Sequence, residues 1–371
     1  MTVVRPEAAA LRRALDTPWR LTLAATVYHS ATGRQPADLL TRAGNGTLHH
    51  HLLAHYIDAA VTVPPVPGAT AVPALDPAEA RRVLTVLAHY LHANMAGRIE
   101  QGRALSSSDL VLHDLWPLAG ARDIRSLDAL LTALLYGSAL LALRWALPEQ
   151  PSKSWTALST ILLIGMALWC VVGRAWPVPS SLRLPRLNTM ARLRNVAREA
   201  AITVLVPALV GAVCGVLFAA QGQMRSGVLA GMGYGGAVGF AYGVALALIE
   251  GLTANNHAPR TDPGSLLRGD LAVGLVTGVL LGTTTGLVYG LVTDPVTALV
   301  TGLTSGLVFG LGARAWTRYT VFRLYVWGQL PWRLAGFLRQ CQQAGLLRTA
   351  GPGWQFRHRE LQEHLALAPP P

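Results

Sequence analysis

The sequence predicts an all-α, polytopic membrane protein in which helical spans lie between two water-exposed flanks. Of its 371 residues, 51% are hydrophobic and 13% are charged, whereas a soluble domain carries about 25% charged residues. Six apolar segments of roughly 20 residues follow position 125, and this is the length that a helix needs to cross a bilayer. Glycine also recurs at every fourth position in three stretches: Gly227, Gly231, Gly235, Gly239, Gly243; Gly274, Gly278, Gly282, Gly286, Gly290; and Gly302, Gly306, Gly310.

Residues 1–125 form a predicted cytoplasmic helical domain. Twelve arginines stand beside ten acidic residues there, a normal soluble balance. Helices are predicted at about 6–30 and 46–61, and a proline-rich linker, 62–73, follows them. A third helix begins at Asp76-Pro77-Ala78-Glu79, because a capping Asp, a Pro at the first position and a Glu three residues after the cap are typical of helix starts.

Residues 126–313 form the predicted transmembrane domain, with spans at about 126–147, 155–175, 201–220, 225–249, 270–291 and 294–313. The loop 174–200 carries six arginines against one glutamate, and residues 314–371 carry eight arginines against two glutamates. Because cytoplasmic loops are enriched in arginine and lysine, both termini are predicted in the cytoplasm, and the protein in the cytoplasmic membrane. Five arginines of the first loop either bind anionic lipid headgroups or only set this topology: Arg183, Arg186, Arg192, Arg194 and Arg198.

The glycine stretches predict close helix packing. Residues four apart lie on nearly the same helix face, so each stretch forms a stripe without side chains. Small residues let membrane helices approach closely enough for van der Waals contact to hold them together. The segment 239–243 recurs as 286–290 and weakly as 306–310, by duplication or by convergent selection. We expect a homo-oligomer that assembles through these glycine faces within the lipid bilayer.

Residues 314–371 predict a small winged-helix-like unit. An amphipathic helix is expected over 331–346, a hairpin around Gly351-Pro352-Gly353, and a final helix from about His358. The last helix carries acid beside base, with Glu360 and Glu363 next to two arginines. No nucleic-acid partner is expected, because these carboxylates oppose phosphate binding.

Both flanks resemble parts of one family. The segment 16–60, from Asp16-Thr17-Pro18-Trp19-Arg20 onward, resembles the helical region after the nucleotide-binding core of NACHT-type (STAND) NTPases. The end of that family's winged-helix domain resembles the tail run Gln355-Phe356-Arg357-His358-Arg359-Glu360-Leu361-Gln362-Glu363-His364-Leu365. The arrangement is similar to a membrane-bound actinobacterial subgroup. This resemblance covers roughly 1–120 and 315–368. The spans between these flanks resemble that subgroup only in being rich in glycine.

The chain departs from that family in lacking the P-loop core. A Walker A motif needs a lysine within a glycine-rich loop, and the only lysine, Lys153, lies in a short loop between predicted spans. We therefore expect no enzymatic activity, no catalytic residue and no cofactor; ATP or ADP would act only through a P-loop NTPase partner or a missing N-terminal segment. The resemblance implies that His358 senses nucleotide in such an assembly. Alternatively, His358 only caps the last helix or satisfies a local backbone group.

Two function hypotheses follow from the sequence. The first is the membrane-anchoring and oligomerisation portion of a NACHT-like signalling or defence NTPase. The alternative is a six-span channel or transporter with regulatory cytoplasmic domains. No metal site is expected, because the histidines at 49–51 and 55 have no acidic or cysteine ligand at suitable spacing.

Overall fold

Helices make up most of the described chain, in agreement with the predicted helical fold class. The computed structural model describes residues 6–29, 35, 37–62, 75–100, 103–146, 179–182, 205, 209, 236, 239–246, 248–249, 253–255, 263–290, 294–311 and 314–369. The helices are α1 (Pro6–Ala14), α2 (Pro18–His29), α3 (Ala37–Gly44), α4 (Leu48–Thr62), α5 (Pro77–Asn94), α6 (Ala121–Ala146), α7 (Pro263–Gly290), α8 (Pro295–Leu311), α9 (Ala315–Tyr325), α10 (Leu334–Gln343) and α11 (Arg359–Leu367). The strands are β1 (Ile99–Glu100), β2 (Arg103–Ala104), β3 (Asp109–Leu110), β4 (Ser180–Leu182), β5 (Thr253–Asn255), β6 (Leu347–Ala350) and β7 (Gly353–Phe356).

The chain divides into two units whose boundaries differ from the three predicted domains. The first unit comprises Met1–Leu118, Pro259–Gly264 and Val326–Pro371, and the second comprises Ala119–Ala258 and Ser265–Tyr325. Most of the two flanks, expected as separate domains at 1–125 and 314–371, thus belongs to one unit, while residues 119–125 and 314–325 belong to the other. The cause is strand pairing: β3 of the first flank pairs antiparallel with β7 of the tail, with Leu110 opposite Trp354.

Helix α5 forms the centre of the first unit. Its start is confirmed as predicted, since the Asp76 carboxylate accepts hydrogen bonds from the backbone N–H groups of Ala78 and Glu79. Six of its side chains are fully buried: Ala80, Val83, Leu84, Leu87, Ala88 and Leu91. It packs against α4 and α11. One apolar face of this helix therefore joins the first flank to the tail.

The tail has the predicted hairpin and final helix. Strand β3 of the first flank, which the sequence analysis did not predict, pairs with this hairpin. The sheet order is β3-β7-β6, and β6 pairs with β7 in the expected antiparallel hairpin. Gly353 is needed for the third strand, because a Cβ at this position would lie 2.8 Å from the backbone oxygen of Leu110. Helix α11 begins at Arg359 with His358 as its N-cap.

The single helix expected at 6–30 is two helices, and α3 was not predicted. The break falls at Asp16–Thr17, before Pro18 opens α2. The hydroxyl of Thr17 accepts a hydrogen bond from the backbone N–H of Arg20, as the side chain of an N-cap residue does. Proline fits the first helical turn, where its missing N–H costs nothing.

The second unit contains the apolar helices. By length and hydropathy, one helix in the described part of the chain could cross a membrane: Pro263–Val288, whose most apolar window has a mean hydropathy of 1.8 and is 33% buried. Helices α8 and α9, bent by 77° at their junction, would provide a second span if the pair crosses as one broken helix. A buried core helix of a soluble protein can have the same length and hydropathy.

The predicted count of six spans therefore stays a prediction. Helices α6, α7 and α8 cover the spans expected at 126–147, 270–291 and 294–313, with α6 and α7 beginning several residues earlier. The spans expected at 155–175 and 201–220 fall almost wholly, and the one at 225–249 largely, outside the described residues.

Candidate functional site

Residues from both flanks meet in a cluster in the first unit. Trp19 and Arg20 lie in the first turn of α2, and His358 and Glu360 lie at the start of α11. Strand β7 leads directly into this start, and the backbone N–H of Arg357 is held by the carbonyl of Leu346 at 3.0 Å. The cluster is thus placed by a helix N-terminus on one side and by the hairpin on the other.

His358 stacks on Trp19. Their ring centroids are 3.3 Å apart and the ring planes differ by 10°. The indole also makes an edge-to-face contact with the ring of Tyr56, at a centroid distance of 5.1 Å and an interplanar angle of 90°. The capping alternative for His358 is partly met: it occupies the N-cap position of α11, but its side chain makes no capping hydrogen bond. The imidazole is therefore held by an aromatic contact instead of by the helix end.

Glu360 ties the cluster together by hydrogen bonds and charge. Its Oε2 accepts a hydrogen bond from the indole Nε1 of Trp19 at 3.0 Å, and its Oε1 accepts one from Nη2 of Arg20 at 3.2 Å. The imidazole Nε2 of His49 lies 3.8 Å from the same carboxylate. These contacts join positions up to 341 residues apart in the sequence. Arg20 also forms an ion pair with Asp16 of its own flank, at 3.1 Å, whereas the Glu360 carboxylate links the two flanks.

Three histidines around this cluster favour their neutral forms. Burial lowers the pKa of His358, and the nearby Arg357 guanidinium lowers it further. Burial is also the main cause that lowers the pKa of His49, against the opposing Glu360 carboxylate. The pKa of His364 is lowered by burial and by His50, whose ring lies 4.9 Å away. In their neutral forms these three rings can stack and can donate or accept hydrogen bonds.

These shifts predict that the first unit loses stability in mild acid. A histidine whose folded pKa lies below the ordinary value of 6.5 makes the unfolded chain bind protons more readily than the folded one. Its contribution is therefore complete above pH 6.5 and is lost as the pH falls through the folded pKa. We expect the thermal midpoint, followed by tryptophan fluorescence in mild detergent, to be lower at pH 5.5 than at pH 7.5. A His364→Gln variant should show a smaller decrease, and an equal or higher midpoint at pH 5.5 for the unchanged protein would contradict this.

The glycines of α7 and α8 face each other within the second unit. A Cβ added to Gly274, Gly278 or Gly282 would lie 2.7–2.8 Å from the backbone oxygens of Gly310, Gly306 and Gly302 respectively. A Cβ added to Gly286 would lie 3.3 Å from the backbone oxygen of Ala298. A Cβ added to Gly290 would contact only the Ala298 Cβ, at 3.5 Å. These two stripes thus hold helices of one chain against each other. Gly239 and Gly243 are buried in a helical stretch over 239–246.

Several predicted site residues lie outside the described residues. They are Gly227, Gly231, Gly235, Arg183, Arg186, Arg192, Arg194 and Arg198. The histidines at 49–55 are described: the rings of His51 and His55 are 4.4 Å apart. The described part of the chain contains no group of three or more His, Cys, Asp or Glu residues placed to hold a metal ion.

Sequence reasoning missed a buried polar cluster in the second unit. Asp270 is 1% exposed, and its carboxylate accepts hydrogen bonds from the backbone N–H and hydroxyl of Ser180 and from the backbone N–H of Trp316. Arg314 donates to the hydroxyl of Thr277 at 2.6 Å and to that of Ser180 at 3.4 Å. In the sequence, Asp270 is the first residue of the span expected at 270–291. An acid inside an otherwise apolar helix was the available signal.

A buried charge pair joins α6 to α9. The Arg318 guanidinium lies 3.1 Å from the Asp128 carboxylate, and both side chains are less than a tenth exposed. Asp128 falls inside the first predicted span, where a lone acid would be costly without a cation. The pairing explains why this apolar segment tolerates an acid.

No family model, no curated protein and no solved structure matches this chain. Function is therefore inferred from the residues and their arrangement.

Proposed function

We propose that the chain is the non-enzymatic membrane-anchoring and oligomerisation portion of a NACHT-like signalling or defence NTPase. The observation that carries this proposal is the meeting of the two flanks on which the family resemblance rests. Trp19 and Arg20 from one flank contact His358 and Glu360 from the other, across up to 341 positions of sequence. In this proposal the cluster is the input side, where a nucleotide-binding partner or missing segment docks.

The second unit supplies the proposed membrane part. Helices α7 and α8 have large apolar side chains that are more than half exposed, namely Leu275, Val279, Leu287, Val296, Leu299, Leu303 and Leu307. Contiguous exposed apolar surface of this kind is typical of contact with lipid or with another chain. Most of these side chains also line an apolar groove of about 680 Å³, together with glycines of both stripes. Because the glycines already pair within the chain, we place the contact between copies on this leucine-lined side.

The proposed role of His358 follows from its position. Its lowered pKa favours the neutral form, and the half-buried ring is held by stacking on Trp19, so it can be released from α2 without breaking a buried ion pair. A neutral imidazole can donate one hydrogen bond to a phosphate oxygen. We propose that a nucleotide bound by the partner competes with Trp19 for this ring, and that the choice is transmitted to the helices between the flanks.

The test is to tag the C-terminus at the native locus and to purify the tagged product from membranes. We expect it to resist alkaline carbonate extraction and to carry a P-loop NTPase, either as a partner or within a product much larger than 39.4 kDa. In that complex, His358→Ala should change the ADP dependence of assembly on native gels, whereas His29→Ala, at the exposed end of α2, should not.

Two results would contradict the proposal. A product extracted by carbonate would remove the membrane role. A membrane product near 39.4 kDa without any NTPase, which conducts solutes in proteoliposomes, would favour the channel hypothesis instead.

A further inference from the structure

A basic cleft lies in the first unit and does not include His358. It has a volume of about 240 Å³ and opens between the end of α5, the loop before β3, the β6–β7 hairpin and α11. Its charged lining consists of Arg348, Arg357 and Arg359 against one carboxylate, Glu363. His92 and Ser108 add further polar groups to the lining. The cleft therefore has an excess of positive charge together with several hydrogen-bond donors.

The arginines differ in what already holds them. Arg359 forms an ion pair with Glu363 at 2.8 Å, so its charge is largely compensated. Arg348 donates from Nε and Nη2 to the side-chain oxygen of Gln355, at 3.1 and 2.9 Å, which fixes its orientation without neutralising it. Neither Arg348 nor Arg357 forms an ion pair within the described residues. Two exposed guanidinium groups thus remain available at the cleft.

Further hydrogen bonds hold the Gln355 side chain that orients Arg348. The Gln355 amide nitrogen donates to the Asp109 carboxylate, whose other neighbour is the Ser108 hydroxyl, at 3.2 Å. On the other wall, the Gln362 amide, 9% exposed, donates to the carbonyl of Ser107 at 3.0 Å. Residues of β3 and α11 therefore fix the side chains around Arg348. The N–H groups of Arg348 that do not bond to Gln355 are thus oriented in the absence of a ligand.

We propose that this cleft binds a phosphate group carried by a small ligand or by a lipid headgroup. Guanidinium groups match phosphate oxygens in geometry and form charge-assisted hydrogen bonds with them. The cleft is smaller than the roughly 300–1,000 Å³ of pockets that enclose a whole drug-sized ligand. A single phosphate with a short attached group fits this size better than a complete nucleotide. The inference does not rest on the function proposed above.

The test uses the purified full chain in zwitterionic detergent and labelled inorganic phosphate at constant ionic strength, measured by equilibrium dialysis. We expect saturable binding that weakens about tenfold or more in Arg357→Gln and in Arg348→Gln, because each loses a charge-assisted hydrogen bond. Arg357→Lys should retain part of the affinity, since it keeps the charge but not the planar fork. Arg12→Gln, an exposed arginine on α1, is the matched control for loss of one charge.

Competition separates the two sources of phosphate. If the natural ligand is a lipid, short-chain phosphatidic acid should displace labelled phosphate at lower concentration than glycerol phosphate does; equal displacement indicates a free small ligand. Circular dichroism of each variant establishes that it is folded. Absent or non-saturable phosphate binding, or equal binding by folded Arg357→Gln, Arg348→Gln and Arg12→Gln, would overturn the proposal.

Discussion

Gly282→Leu is expected to force helices α7 and α8 apart and to destabilise their contact by about 3 kcal/mol. A Cβ at this position would already lie 2.8 Å from the backbone oxygen of Gly302 and 3.0 Å from the Cα of Gly306. Backbone atoms of a helix cannot move aside as a flexible side chain can, so the helices must separate. The leucine side chain adds further volume at the same point.

Hydrogen exchange read by mass spectrometry on peptides of α7 and α8 measures this effect locally. A loss of about 3 kcal/mol corresponds to opening that is more than about a hundredfold more frequent. Gly290→Ala is the matched control on the same helix, because its Cβ meets only the Ala298 Cβ, at 3.5 Å, an ordinary contact distance. The control should exchange as slowly as the unchanged protein or more slowly, since alanine favours helix over glycine. Equal exchange rates in the two variants would show that the glycine contact does not hold these helices.

Asp270→Ala should destabilise the second unit by about 3–5 kcal/mol, the usual effect of removing one member of a buried charged network. The substitution leaves three donors without their acceptor: the N–H and hydroxyl of Ser180 and the N–H of Trp316. It also leaves the Arg314 guanidinium beside that network without the nearby carboxylate. Buried donors without an acceptor are costly because water cannot replace the lost partner.

The same exchange measurement, read on peptides that cover 179–182 and 314–325, tests this prediction. Asp294→Ala is a suitable comparison, because Asp294 also accepts from three groups, the N–H of Val296 and the N–H and hydroxyl of Thr297, but is exposed at the start of α8. Loss of an exposed helix cap should have a smaller effect than loss of a buried acceptor, because water can replace the lost partner. If Asp270→Ala increases the exchange rate no more than Asp294→Ala does, burial does not strengthen the Asp270 network. The exchange rate of Asp270→Asn should lie between those of the two alanine variants, because the amide oxygen of asparagine keeps one acceptor.

Local features of the first unit could be predicted because nearby residues cause them. The start of α5 follows from Asp76 and Pro77, and the β6–β7 hairpin from the turn at 351–353; both are confirmed. Strand β3 could not be predicted in this way. It is two residues long and gains its hydrogen bonds from β7, whose residues lie about 245 positions later in the chain.

In the candidate site too, the sequence indicates single residues, and their contact partners are found only in the structure. The tail motif singled out His358 by resemblance, but nothing near it in sequence indicates the Trp19 ring that stacks on it. The glycine period predicted close packing, and the structure determines that α7 and α8 of one chain are the helices that meet. Asp270 reads as a span end in sequence and as a buried acceptor in space.

The sequence by itself determined the helical fold class, the apolar length of α7 and the spacing that leaves glycine backbones bare on one face. Propensity, hydropathy and residue period act over a few residues, so a linear pattern contains them. Only the tertiary structure decided that the two flanks form one unit, which glycine stripe faces which, and where the buried Asp270 and Asp128 find their partners. Those outcomes depend on contacts between residues far apart in the chain, where desolvation and geometry select one pairing among many that the sequence permits.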